Sequence, residues 1–333
     1  MNPQTTHYRL ELRPYYRQFC QPLTTSYGLW AVREGILLQL RDSADRTGYG
    51  EIAPVPWFGT ESQAEALAFC QQLPEIWSIE ALATVPPSLP ACQFGLHAAL
   101  EDLESSTVRT GSEPLWPNRC SGLLPAGEAA LHTWPSLWAQ GYRTLKWKIA
   151  VQSHVQEMGL FRQLLAALPK GTTLRLDANG GLTWQQATQW LELCDRAQVD
   201  WPQITIEFLE QPLPPDALAE LQDLSQRYVT PLALDESVAT LSQLRTCYER
   251  GWRSIVVIKP AIAGSPAELR QFFRQHPLDA VFSSVFETPI GQQAGLRLAA
   301  ELANPDRALG YGVNHWFNQD EFGDDIERLW QTL

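Results

Sequence analysis

Between about Asn118 and Gly310 the chain alternates short apolar runs with helical stretches, and this rhythm constrains the fold more than any other feature. The apolar runs are Cys120–Leu124, Thr144–Ile149, Leu174–Asp177, Ile204–Glu210, Leu232–Asp235, Ile255–Lys259, Ala280–Phe286 and Ala308–Gly310. Helical stretches expected between them include Ser153–Leu168, Trp184–Ala197, Asp216–Tyr228, Ser242–Arg250, Pro266–Gln275 and Gly291–Leu302. Strands joined by crossovers of this length pair in parallel, with right-handed connections. Eight such units close into a barrel. The helix after the eighth strand is expected to be missing or replaced, because Val313–Leu333 is polar and aromatic. The expected architecture is an α/β barrel, a modified TIM barrel of (β/α)7β type.

The upstream part has a different texture. Alternation at Tyr8–Leu12, Gly35–Leu40 and Gly48–Ile52 predicts antiparallel strands. Two irregular stretches, Arg17–Tyr27 and Ala53–Gly59, interrupt them, and the prolines of the second forbid regular ladder pairing. A capping signal at Thr60–Gln63 opens one helix, and another spans about Ala91–Leu103 after the breaker run Val85–Pro90. A sheet followed by helices is an α+β arrangement. The expected division is residues 1–115 as an α+β domain, 116–312 as the barrel, and 313–333 as a tail returning to the first domain.

Charge and motif content narrow the function. The chain carries 25 Lys and Arg against 37 Asp and Glu, a net charge of −12. It therefore lacks the basic face that nucleic acid or an anionic membrane requires. No apolar run reaches the ~18 residues of a membrane span, and the first ten residues show no signal-peptide pattern. Six scattered cysteines form no CxxC pair and read as free thiols in a reducing, cytoplasmic setting. The histidines show neither HxH nor HExxH spacing, which argues against a zinc hydrolase. A small-molecule enzyme is the expectation, and the oligomeric state is left open.

In a parallel barrel the chemistry sits at the C-terminal ends of the strands. Three consecutive strands end in a carboxylate: Asp177, Glu210 and Asp235, each about one strand-helix unit from the next. Three inward carboxylates need a cation between them, and an all-oxygen donor set points to a hard ion such as Mg²⁺. Glu207 and Glu236 fall on the opposite parity and are read as structural. Period-two alternation turns Lys146 and Lys148 inward together, and two close ammonium groups are expected to lower the pKa of at least one. Lys259 follows four apolar residues and is costly to place there unless it faces the mouth. Lysines on both sides of a divalent ion suit removal of a proton beside a carboxylate. A Schiff-base aldolase using Lys259 is the competing chemistry, and the carboxylate triad counts against it.

The set Lys146-x-Lys148, Asp177-x-Asn179, Glu210-Gln211-Pro212, Asp235-Glu236-Ser237 and Lys259-Pro260 resembles the enolase superfamily, in its muconate-lactonizing-enzyme-like subgroup. A lysine base with a magnesium-held enediolate is that family's known chemistry. The resemblance covers nearly the whole chain and makes the N-terminal part a capping domain, with Arg17–Tyr27 and Ala53–Thr60 as its specificity loops. It implies Asp177, Glu210 and Asp235 as Mg²⁺ ligands (Mn²⁺ substituting) and Lys148 as general base and then acid. It implies Lys259 as the charge that stabilises the enediolate, and Lys146 as a group holding the carboxylate and Lys148. Ser284 and the backbone at Gly310 become substrate contacts, with Arg175 and Asn179 behind the ligands. Arg33–Gly35, Gly48–Gly59, Ser283-Ser284 and Glu287-Thr288 resemble the members that dehydrate a succinyl-hydroxycyclohexadiene carboxylate in menaquinone and phylloquinone synthesis. The alternative is racemisation of N-succinylamino acids on the same lysines and metal. One departure is Glu210-Gln211-Pro212, where many relatives have Glu-Glu-Pro.

Overall fold

A computed structural model describes residues 7–25, 28–74, 76–105, 117–317 and 326–332. Two sheets organise it. The first is antiparallel, in the order β3-β2-β1-β4, built from β1 (His7–Thr25), β2 (Gly28–Arg41), β3 (Thr47–Ile52) and β4 (Ile76–Ser78). Helix α1 (Gln63–Cys70) lies between β3 and β4 in sequence, and α2 (Pro90–Ser105) follows β4. Ile36, Leu38, Leu40 and Ile52 of the sheet pack on Ala91, Leu96, Ala99 and Leu103 of α2. The approach is close: a Cβ at Gly50 would lie 2.1 Å from the Gly95 carbonyl oxygen, so only glycine fits.

The second sheet holds β5 (Cys120–Leu124), β6 (Thr144–Lys148), β7 (Thr173–Asp177), β8 (Thr205–Glu210), β9 (Leu232–Leu234), β10 (Ile255–Ile258), β11 (Ala280–Phe282) and β12 (Leu309–Gly312). Its order is β11-β10-β9-β8-β7-β6-β5-β12, parallel throughout, so the last strand lies beside the first. The helices between these strands are α3 (Ala129–Ala139), α4 (His154–Ala167), α5 (Trp184–Asp200), α6 (Leu218–Arg227), α7 (Leu241–Glu249), α8 (Pro260–Ala263), α9 (Pro266–Gln275) and α10 (Pro289–Leu302). Beyond β12 comes α11 (Ile326–Thr332), whose Leu329 and Trp330 pack with Tyr15, Leu37 and Tyr49 of the first sheet. The eight-stranded barrel with an N-terminal antiparallel sheet is the architecture that the sequence rhythm predicts.

The barrel is closed by one isolated parallel bridge, Ser283 to Gly310. A Cβ at Gly310 would stand 2.4 Å from Ser283 Oγ, so this seam also requires glycine. Residues alternate across each strand. Phe208, Ala233, Ile255, Val257 and Val281 fill the interior, while Trp147, Leu176 and Leu209 join Phe161 and Trp190 in the layer beneath the helices.

Two local expectations change. Arg17–Tyr27 is not irregular: β1 continues through it to Thr25, paired with β2 across a bulge between Gln18 and Leu23. The paired backbone, rather than side-chain alternation, carries that extension, and Tyr27 lies outside the described residues. Ala280–Phe286 is a strand only to Phe282, because the chain then turns into the seam. Helix α3, with Pro135 inside it, joins the helical stretches expected from the sequence. The boundary expected at 115/116 also falls outside the described residues.

Candidate active site

Strand register brings the site together. Lys148 pairs with Asp177, Asp177 with Glu210, and Glu210 with Ala233, which places Asp235 two residues further on. Lysine and carboxylates from β6, β7 and β8 therefore form one rung, with Asp235 just above it. Lys259 follows the end of β10 on the far side. A cavity of about 370 Å³ opens here, lined by Lys146, Lys148, Asp177, Asp235, Lys259 and both Ser284 and Gly310 of the seam. Residues of both expected specificity loops, Gln21–Leu23 and Val55, Trp57 and Phe58, also line it. Its wall is partly aromatic: Trp30 meets Trp57 edge-on at 4.9 Å, and Phe19, which touches Trp30, stacks on Phe317 at 4.7 Å. Phe286 joins Phe19 and Trp30 despite a left-handed φ of 65°, its N–H held by Ser284 Oγ at 2.9 Å.

The three lysines differ. The Lys146 ammonium stands between Asp177 (2.8 Å) and Glu210 (2.6 Å). Burial opposes its charge, but Asp177, Glu210 and Asp235 outweigh burial and raise its pKa. The lowering expected from two adjacent lysines thus does not occur at Lys146, because carboxylates from other strands dominate. Lys259 donates to Asp235. Among the described residues, no carboxylate lies within ion-pair distance of Lys148.

Burial pushes Glu210 up to about 8, with the Asp177 charge next in effect. Burial likewise pushes Glu236 up to about 8, helped by the charge of Asp235. Burial also opposes the charge of Asp177, but Lys146 and Lys148 prevail and hold it low. Among the described residues, no three carboxylate, thiol or imidazole groups are drawn onto one point, since ammonium groups stand between the carboxylates. The donor set still fits a hard divalent ion: all oxygen, on three adjacent strand ends, with carboxylates whose charges repel each other.

Two carboxylates sit where parity does not predict. A β-bulge between Leu174/Ile206 and Arg175/Phe208 turns Glu207 inward, where it accepts from Arg175 at 2.6 Å and Arg307 at 2.7 Å. Arg175 is thereby committed inside the barrel below the rung, and it does not touch the three carboxylates. Glu236 begins a 3₁₀ turn after β9, so period two no longer applies, and it lines the mouth. Asn179 reaches it, donating from Nδ2 to Glu236 at 3.0 Å, while its own N–H donates to Asp177 at 3.1 Å. The hydroxyl of Ser284 donates to Glu287 at 2.9 Å, so its proton is committed; Ser283 makes only a 3.3 Å bond to the Gly310 carbonyl.

Gln211 and Glu51 escape a sequence reading. Gln211 is fully buried at φ 36°. Its amide donates to Leu213 O and Ser237 Oγ, both at 2.8 Å, and accepts from the N–H groups of Asp235 and Ser237. This amide fixes the backbone that carries Asp235, and a carboxylate there would supply no donors. Glu51, also fully buried, reaches from β3 to the N-terminus of α10, accepting from the N–H groups of Thr288 and Gly291. The only sequence signal for either is a polar residue beside buried neighbours.

Comparison with known proteins agrees with this geometry. The profile Enolase C-terminal domain-like matches residues 131–328, and MenC, N-terminal domain, matches residues 25–103. The o-succinylbenzoate synthase of Thermosynechococcus vestitus (strain BP-1) is 40% identical over 98% of this chain and 99% of its own length. The chain belongs to the o-succinylbenzoate synthase family of the enolase superfamily. A second family member, from Edwardsiella ictaluri, is 32% identical over 81% of this chain and 79% of its own. The crystal structure of o-succinylbenzoate synthase from Thermosynechococcus elongatus BP-1, complexed with Mg in the active site, superposes with a TM-score of 0.86. It is 39% identical and covers 98% of this chain and 100% of its own. The L-Ala-D/L-Glu epimerase of Bacillus subtilis shares the fold, with a TM-score of 0.75 at 20% identity, covering 95% of this chain and 92% of its own.

Proposed function

We propose that this chain dehydrates 2-succinyl-6-hydroxy-2,4-cyclohexadiene-1-carboxylate to 2-succinylbenzoate, in menaquinone or phylloquinone synthesis, with Mg²⁺ as cofactor and Mn²⁺ able to replace it. The observation that carries the reading is a buried carboxylate set flanked by two unlike lysines, Lys148 unpaired and Lys259 paired to Asp235. Asp177, Glu210 and Asp235 would hold the ion. When bound, Mg²⁺ supplies a fixed divalent charge beside the substrate carboxylate.

Among the described residues Lys148 has no carboxylate partner, so its nitrogen is available to take the proton beside the substrate carboxylate. Charge then develops on that carboxylate, and the Lys259 ammonium faces it from the opposite wall. Lys148 returns the proton to the departing hydroxyl. One C–H and one C–O bond break, water leaves and the ring becomes aromatic. Lys146, held by Asp177 and Glu210, keeps its charge and orients the carboxylate end. Racemisation asks both lysines to exchange protons in turn, whereas among the described residues Lys259 is already paired to Asp235, which favours dehydration.

Asn179 supports the ion site through Asp177 and Glu236, while Arg175 pairs with Glu207 below the rung. Ser284 and Gly310 shape the wall for the succinyl arm, and Ser283 supplies a donor. We assign residues 1–115 and the 313–333 tail to substrate closure, and 116–312 to the chemistry. No described helix is long and apolar enough to cross a membrane. The free cysteines suit a cytoplasmic setting.

The test is turnover of purified protein with and without Mg²⁺, in competition with N-succinylamino acids. The expected outcome is a higher kcat/KM for the cyclohexadiene carboxylate, abolished by chelator and by Lys148→Ala. A preference for the amino acids would replace the lyase with the racemase.

A further inference from the structure

Besides Asp235, the Lys259 ammonium meets the face of an aromatic ring. The Lys259 ammonium lies 4.8 Å from the centroid of Phe58. Lys259 is 7% exposed, so little water competes for that ammonium. A desolvated cation over a ring face is held by the ring's quadrupole, an attraction that a saturated side chain of equal size does not supply.

Phe58 belongs to a loop of the N-terminal part, and that loop is braced on both sides of it. Pro56 opens a 3₁₀ turn in which the Phe58 N–H donates to Val55 O at 2.9 Å and the Gly59 N–H to Pro56 O at 2.9 Å. Gly59 ends the turn in the left-handed region, at φ 89°. The Val55 N–H donates to Thr60 Oγ1 at 2.8 Å, and buried Arg33 donates to Pro54 O at 3.0 Å. The neighbouring Trp57 is locked edge-on against Trp30. These bonds fix the backbone from which the Phe58 ring reaches Lys259.

We propose that Phe58 is a positioning residue for Lys259: its ring gives the ammonium, already paired to Asp235, a second partner at the cavity wall and fixes where it meets the substrate. This rests on the reading of Lys259 as the charge that meets the reacting carboxylate. It makes the capping loop part of the catalytic arrangement, because the loop that closes the cavity also sets the lysine.

The experiment compares kcat and KM for Phe58→Leu, Phe58→Tyr, Phe58→Trp and Lys259→Ala at saturating Mg²⁺, with thermal midpoints as the folding control. Phe58→Leu is expected to lower kcat about tenfold, with KM changed less than about twofold. An aromatic replacement, Tyr or Trp, is expected to bring kcat back to within about threefold of the parent. The proposal is overturned if Phe58→Leu keeps its kcat, if the loss lies in KM, or if neither aromatic variant restores turnover. A Lys259→Ala variant with normal kcat would instead remove the reading of Lys259, and this proposal with it. A dead Lys259→Ala beside a normal Phe58→Leu removes the Phe58 proposal alone.

Discussion

Replacing Glu51 by Gln should cost about 3 kcal/mol of stability, although the side chain lies outside the cavity. The buried carboxylate receives the N–H groups of Thr288 (3.0 and 2.9 Å to its two oxygens) and Gly291 (3.0 Å), and the hydroxyls of Tyr15 and Thr288. Gln can keep the two N–H bonds on its remaining oxygen, and Tyr15 can turn to accept from the new amide. What goes is the charge. Charge-assisted bonds are about twice as strong as neutral ones, so roughly 1 kcal/mol is lost on each of about three bonds. The favourable interaction with the N-terminus of α10 is lost as well. Glu51→Leu strands every donor and should cost more. Urea unfolding at neutral pH gives the difference, and kcat/KM measured on the same samples should fall, because segment 283–288 leads directly into α10. A Glu51→Gln protein within about 1 kcal/mol of the parent, with unchanged kcat/KM, would refute the clamp.

Other substitutions follow from the same geometry. Gly310→Ala forces a Cβ to 2.4 Å from Ser283 Oγ and should destabilise by about 1–3 kcal/mol, with a clear fall in kcat/KM; a neutral outcome means the seam yields freely. Glu210→Gln should weaken Mg²⁺ binding at least tenfold by calorimetry, yet leave the chelator-treated protein no less stable at neutral pH, because burial and Asp177 push Glu210 up to about 8 and already favour its neutral form. Burial pushes Glu287 up to about 7 from an ordinary 4.5. Its contribution to stability is therefore full below about pH 4.5 and lost as pH rises through about 7, a change on the order of 3 kcal/mol. Glu287→Gln should abolish that slope in pH-dependent urea unfolding.

Sequence made the barrel legible because its signal is local. Each apolar run from Cys120 to Gly310 supplies one strand, and period two turns Lys148, Asp177, Glu210 and Lys259 inward without any knowledge of neighbours. The failures mark where neighbours decide. Glu207 faces inward because β8 carries a bulge opposite β7. Glu236 enters the mouth because a 3₁₀ turn replaces the strand. Lys146 keeps its proton because two carboxylates from other strands reach it, so the repulsion that its neighbour in sequence implies is not the governing field. Gln211, Glu51 and Phe58 act through contacts to residues distant in the chain, and no spacing rule exposes those.

The seam also orders events in time. Every neighbouring pair from β5 to β11 joins strands consecutive in sequence, whereas β12 must find β5 across nearly the whole barrel. Closing so long a loop adds entropy cost and slows the contact. A single bridge to β11 then finishes the ring at Ser283 and Gly310. Strands β6 to β10, with the carboxylates and lysines, are assembled from local units that do not wait for that closure. A refolding chain should therefore regain its affinity for Mg²⁺ before it regains turnover, since the wall against the succinyl arm is the last surface to exist.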